Sequence, residues 1–176
     1  NRCLVGSEMC IRDSYNDITH KAKMSDVIYI NSLQKHCLVY VAPIKTKQNG
    51  QTLGYVANIH DASDLTSVFL HAENVGHSGE SYLINDKGLL LTDTYSHKGV
   101  AFNKTINASL FTNNTADSHS KLLEYTDFSG VHVFGMADSS ILKKSLGLNW
   151  VLVSQVNYSD AIKAAHHLRN IVLIVL

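Results

Sequence analysis

Hydrophobic and polar positions first organise into two apolar, β-rich runs: residues 37–44, Cys-Leu-Val-Tyr-Val-Ala-Pro-Ile, and residues 52–59, Thr-Leu-Gly-Tyr-Val-Ala-Asn-Ile. Asn49-Gly50 stands in the link between them. Both residues tolerate positive φ, so the pair predicts an antiparallel hairpin. Strand alternation puts Tyr40 and Ala42 on one face and Val39 and Val41 on the other, and groups Asn58 with Val56 and His60. The single proline, Pro43, offers no N–H to a ladder and predicts an edge or a bulge.

Beyond the hairpin the period changes. Leu65, Val68, Phe69 and Ala72 recur at three and four residues, predicting a helix over 62–73 capped by Asp61 or Ser63. A glycine-bearing connector, 74–79, leads to a second predicted hairpin: Ser81-Tyr-Leu-Ile-Asn85 and Leu89-Leu-Leu-Thr92 around the turn Asp86-Lys-Gly88. Residues 94–120 are polar with scattered apolar anchors, a loop long enough to require one short helix. Strands are predicted at 121–126, 131–137 and 150–156. A helix then starts at Ser159 with Asp160 in its first turn. Its apolar stripe Ile162, Ala165, Leu168, Val172 and Val175 continues into the closing run Ile171-Val-Leu-Ile-Val-Leu176. Hairpin, helix and second sheet together predict an α+β fold in two consecutive modules.

Composition narrows the function more than the fold. Lys+Arg and Asp+Glu are each 15, which leaves no basic face for phosphate contacts and sets nucleic acid aside as a partner. Cys3, Cys10 and Cys37 have neither metal-ligand spacing nor an even count. Residues 3–14 resemble translated sequencing-adapter read-through, so 1–14 are treated as an artefact and excluded from fold reasoning. No nucleophile motif, phosphate loop, dinucleotide fingerprint or metal-ligand run is present. The ten histidines are scattered, which predicts solvated side chains rather than metal ligands. No catalytic residue, metal or other cofactor is expected, and catalysis within the chain is set aside, although a kinase or cyclase could follow it as an output domain.

Four segments taken in order carry a resemblance. They are Val41-Ala-Pro-Ile44 with Asn49-Gly50 and Leu53-Gly-Tyr-Val-Ala57; Gly76-His-Ser-Gly-Glu-Ser-Tyr-Leu-Ile-Asn85 with Gly88-Leu-Leu-Leu-Thr92; Tyr125-Thr-Asp-Phe-Ser-Gly-Val-His-Val-Phe-Gly135; and Leu148-Asn-Trp-Val-Leu-Val-Ser-Gln-Val156 with Asp160-Ala161. Their order and spacing resemble the double Cache family, the PAS-like extracytoplasmic sensors of bacterial chemoreceptors, sensor histidine kinases and diguanylate cyclases. The resemblance implies PAS-like antiparallel sheets with flanking helices. It implies the C-terminal part of a membrane-distal module at 15–73, a complete membrane-proximal module at 74–157, and a helix at 158–176 leading into a truncated second transmembrane segment. A periplasmic region of an inner-membrane receptor, homodimeric in its full form, is the expected setting.

The same resemblance places a ligand site. Family members that bind amino acids carry an aromatic-x-acid pair before the first hairpin and an acid on its second strand. The matching positions here are Tyr29-Ile-Asn31 and Asn58 or Ile59. A buried ammonium needs a compensating charge, so the missing acids favour a neutral or anionic metabolite; Asp26 is the nearest acid that remains. Tyr29, Asn31, Tyr40, Asn58 and His60 are the ligand-binding candidates, and Tyr82, Tyr125 and His132 are candidates for a second, smaller cavity. A small-molecule sensor is the first expectation. The alternative is a structural spacer or dimerisation ectodomain that relays a signal from a periplasmic partner protein.

Overall fold

The computed structural model describes residues 22–70, 78–112, 122–163 and Arg169. The adapter-like stretch 3–14, the expected module boundary at 73/74 and the closing run 171–176 lie outside the described residues. The chain divides into two compact units. One contains the described residues up to Leu65 with Ile141–Asn149; the other runs from Thr66 to Ser140 and resumes at Trp150. Among the described residues no helix is long and apolar enough to cross a membrane.

The first unit is built on one long strand. β3 (Lys35–Lys45) pairs along its length with β4 (Thr52–Asp61); on its other side two short strands, β1 (Lys23–Met24) and β2 (Ile28–Ile30), pair with successive parts of it, all antiparallel. The predicted hairpin is therefore present, but Asn49 and Gly50 contribute differently. Gly50 takes φ 69°, whereas the Asn49 side chain accepts the Gln51 N–H at 3.1 Å. Pro43 falls beyond the reach of β1, which pairs only with Tyr40 and Val41, and the β3–β4 register shifts one residue later, at Ile44/Lys45. Its missing N–H thus costs the ladder little.

β3 buries Cys37, Val39 and Val41 on one face and Leu38 on the other. Cys37, Val39 and Val41 are each no more than 4% exposed and pack with Ile30; burying a branched side chain of this size contributes about 1.5–3 kcal/mol. Burial also pushes the Cys37 thiol up from its ordinary value, which makes it a packing residue rather than a nucleophile. At the end of β4, Asp61 accepts the Ser63 N–H and hydroxyl at 3.0 and 2.7 Å and pairs with Lys35 at 2.6 Å. Hydrogen bonds from Lys35 and Ser63 hold its carboxyl well below the usual range. This turn launches α1 (Asp64–Leu70), shorter in its described part than the 62–73 expected.

The second unit is a four-stranded antiparallel sheet in the order β5-β8-β7-β6, with β5 at Glu80–Ile84, β6 at Leu123–Thr126, β7 at His132–Asp138 and β8 at Val151–Asn157. Its core is Tyr82, Ile84, Leu90, Phe111, Ala137, Val151 and Val153. One short helix, α2 (Ser109–Thr112), falls within the long polar stretch, and α3 (Ser140–Leu146) joins β7 to β8. Residues 158–163 continue β8 as a helix.

The second predicted hairpin needs correction. Leu89–Thr92 is apolar enough for a strand, yet it forms only isolated bridges, Ile84 to Leu90 and Leu89 to Thr105. The Leu91 N–H bonds Leu83 O at 2.8 Å while the Leu90 N–H turns the other way, to Lys104 O at 2.9 Å. The segment is shared between β5 and residues 102–105 and pairs continuously with neither. The main partner of β5 is β8, more than 60 residues away.

Candidate functional site

The pairing register of the first unit determines which candidate residues meet. Tyr29 stands opposite His36, Tyr40 opposite Asn58, and Leu38 opposite His60. Directly opposed residues project to the same face, so Tyr29, Tyr40, Asn58 and His60 share one side of the sheet, away from Cys37, Val39 and Val41. Tyr40 and His60 meet edge to face at 5.5 Å, and Tyr29 and His36 at 5.0 Å. Asn31 is not on a strand; it lies in the turn after β2, where its carbonyl accepts Gln34 Nε2 at 2.7 Å. Tyr29 and Tyr40 are 46% and 41% exposed, whereas Leu38 on the same face is buried, so the face is open at the tyrosines and covered at Leu38. The strand residues sharing it include no Asp or Glu.

The second unit holds a cavity of about 260 Å³ lined by aromatic and polar residues, among them Tyr82, Phe111, Tyr125, Asp127 and Phe128. Of the three residues expected around a second cavity, Tyr82 and Tyr125 line it and His132 does not. Val133 is fully buried on the cavity side, so alternation turns His132 to the opposite face. There it stacks on Tyr158 at 4.4 Å and meets Glu124 at 3.0 Å.

Beside the cavity lies a polar hub whose residues fall within the motif segments of the sequence but whose contacts no sequence pattern predicts. Gln155 is 6% exposed and stands between Glu80 of β5 and Gly135 of β7. Its Oε1 accepts the hydroxyls of Tyr125 and Tyr82 at 2.7 and 3.1 Å. Its Nε2 donates to Glu80 Oε1 at 2.9 Å and to Asp127 Oδ2 at 3.1 Å. The amide orientation is forced: turned over, its carbonyl would face two carboxylates that can only accept. Asp127 in turn shapes the β6–β7 corner, its Oδ1 accepting from Ser129 N, Ser129 Oγ and Val131 N at 2.7–2.9 Å.

Two expectations arise from this arrangement. Burial, reinforced by the charges of Asp127 and Glu80, pushes the Tyr125 hydroxyl up from 10.0 to about 12, and burial pushes Tyr82 upward as well. A folded-state value above the unfolded one means stability is fully present below pH 10 and is lost as pH rises through the folded value. Alkaline unfolding followed by circular dichroism should therefore begin above pH 10, and Tyr82→Phe should weaken that dependence. Gly135 leaves room for Tyr125: a Cβ there would lie 2.8 Å from Tyr125 Oη and 3.1 Å from Ser154 O. Gly135→Ala should displace the ring and cost about 1–3 kcal/mol, read by urea unfolding, and should lower the Tyr125 titration toward its ordinary value.

No protein-family model matches the sequence, and no curated protein does. Solved structures match its fold. The extracellular domain of mmHK1S-Z3, assigned as a histidine kinase, superposes with a TM-score of 0.64 at 14% identity, covering 90% of this chain and 55% of that one. This chain has the fold of a Cache-type sensor domain. The ligand-binding domain of the Pseudomonas fluorescens chemoreceptor CtaA, in complex with L-isoleucine, superposes on this chain with a TM-score of 0.61 at 15% identity, covering 93% of this chain and 64% of that one. That of the Pseudomonas aeruginosa PAO1 amino acid chemoreceptor PctB, in complex with L-Arg, does so at 0.57 with 18% identity, covering 91% and 58%. The Cache-type fold here spans 55–59% of the length of the first three structures it matches.

Proposed function

We propose that this chain is the extracytoplasmic small-molecule sensing region of a transmembrane signal-transduction receptor, with its ligand held on the first unit's open sheet face. The observation that carries this reading is the convergence of Tyr29, Tyr40, Asn58 and His60 on one exposed face, in a fold shared with ligand-binding domains of chemoreceptors. Asn31 follows in the turn after β2. Aromatic edges and neutral polar groups recognise a ligand by hydrogen bonds and apolar contact. Without a strand carboxylate the face suits a neutral or anionic metabolite rather than an ammonium.

In this reading residues 15–73 belong to a membrane-distal module, 74–157 form the membrane-proximal one, and 158–176 lead toward the membrane in a periplasmic, homodimeric receptor. The helix after β8 is the output. Tyr158, at its start, stacks on His132 at 4.4 Å and on Phe134 at 4.9 Å, so a change in the sheet is felt at the helix. Occupancy then biases a two-state position of that helix, whatever output domain follows.

Thermal shift of the chain against a panel of neutral, anionic and cationic metabolites tests the reading, with Tyr29→Ala and Asn58→Ala in parallel. A stabilising neutral or anionic compound whose effect both substitutions reduce is expected. A folded protein silent toward every class would overturn the reading and favour a spacer that relays a signal from a partner protein.

A further inference from the structure

The cavity of the second unit has a polar chemistry unlike that of the first unit's face. The hydroxyl protons of Tyr82 and Tyr125 are held within the network of Gln155 Oε1 and the two hydroxyls themselves, so toward the cavity these tyrosines keep only acceptor lone pairs. Asp127 also lines the cavity. Its Oδ2 carries one hydrogen bond, from Gln155, and a carboxylate oxygen accepts at least two. Glu80 adds a second negative charge to the network through the other Gln155 proton. The end of the cavity formed by Tyr82, Tyr125 and Asp127 is therefore acceptor-only and negative, while Thr105, Asn107 and Thr126 line the rest with groups that can also donate. Phe111 and Phe128 supply aromatic wall around it, and aromatic faces attract cations. Lys104 is the cation among the lining residues, and it is solvent-exposed, where water and salt screen its charge.

We propose that this cavity is a second binding site, for a small organic ammonium compound whose N–H groups meet Asp127 and the tyrosine oxygens while its carbon body packs against the phenylalanines. At about 260 Å³ it has room for a small organic molecule. The site is independent of the first unit's face and prefers the opposite charge.

Calorimetric titration of the full chain with three probes of matched carbon skeleton tests it: isobutylamine, isobutanol and isobutyrate. Isobutylamine should bind, and the neutral alcohol and the carboxylate should bind at least about tenfold more weakly, the loss of one charge-assisted hydrogen bond. Asp127→Asn keeps an acceptor oxygen for the corner at Ser129 and Val131 while removing the charge. It should weaken isobutylamine by about tenfold or more. Leu110→Trp alters a half-exposed lining residue, so it should block the cavity without disturbing the core, and should abolish binding. Equal binding of the three probes, no binding of isobutylamine, or binding unchanged in folded Leu110→Trp protein would each overturn the proposal.

Discussion

Replacing Gly88 by alanine should destabilise the chain by about 3–5 kcal/mol, a large share of the ~5–15 kcal/mol that separates a folded domain from its unfolded state. Two costs combine. Gly88 sits at φ 79°, where an L side chain costs about 1–2 kcal/mol. Its added Cβ would also collide with the carbonyl oxygen of Ile106, and would lie 3.2 Å from the carbonyl carbon of Ile106 and 3.3 Å from Ala108 N. Backbone cannot rotate away as a side chain does. The Ile106 N–H donates to Gly88 O at 2.9 Å, so relieving the collision breaks the bond that holds the cavity wall. Gly50 is the control. It has a similar φ, 69°, with nothing within 4 Å of an added Cβ, so Gly50→Ala should cost only the backbone term. Urea unfolding of both variants checks the ranking; equal losses would show that φ strain alone matters.

Gln155→Leu should cost a comparable amount, about 3–5 kcal/mol, through a different mechanism. It removes the acceptor of two tyrosine hydroxyls and the donor to two carboxylates in one change. Each buried polar group left unpaired costs about 1–3 kcal/mol, and Tyr82 is fully buried. Gln155→Glu preserves the shape but brings a third carboxylate beside Glu80 and Asp127. Its folded-state pKa must rise; the folded protein then binds more protons than the unfolded chain, and stability should increase as pH falls toward the carboxylate range. Denaturation at neutral and mildly acidic pH separates the two variants. Loss of less than about 0.5 kcal/mol in Gln155→Leu would mean that water replaces the amide and that the hub is dispensable.

Much of this fold could be read from the sequence where a segment carries its own pattern. β3 and β4 are apolar, β-rich runs of ten or more residues around Asn49-Gly50, and the sequence predicts both to within two residues of their ends. β7 and β8 were equally legible. β1 and β2, at two and three residues, are shorter than any period; they exist because β3 is long enough to pair with both. α3 is seven residues, too few to display a stripe, and read as a connection. Leu89–Thr92 misled because composition reports burial, not hydrogen-bond direction.

The candidate sites divide in the same way. Alternation groups Tyr40 with Ala42 and Asn58 with His60, because facing is a property of each strand; only the β3–β4 register sets Tyr40 opposite Asn58. Gln155 was invisible. On β8 it follows Ser154 in a mostly apolar strand, and only the register of β5, β8 and β7 sets it against Glu80, Tyr82 and Tyr125. His132 was assigned to the wrong face of β7, although the burial of Val133 beside it follows the same alternation.

Ligand occupancy of the first unit's face is read most directly by NMR of the chain with labelled tyrosine, histidine, asparagine and valine, titrated with a metabolite that stabilises it. The signals of Tyr29, Tyr40, Asn58 and His60 should shift together and saturate at one affinity, with Val39 and Val41 on the opposite face little changed. Shifts confined to the second unit, or an unmoved sheet face with every metabolite that binds, would contradict a sensor site there.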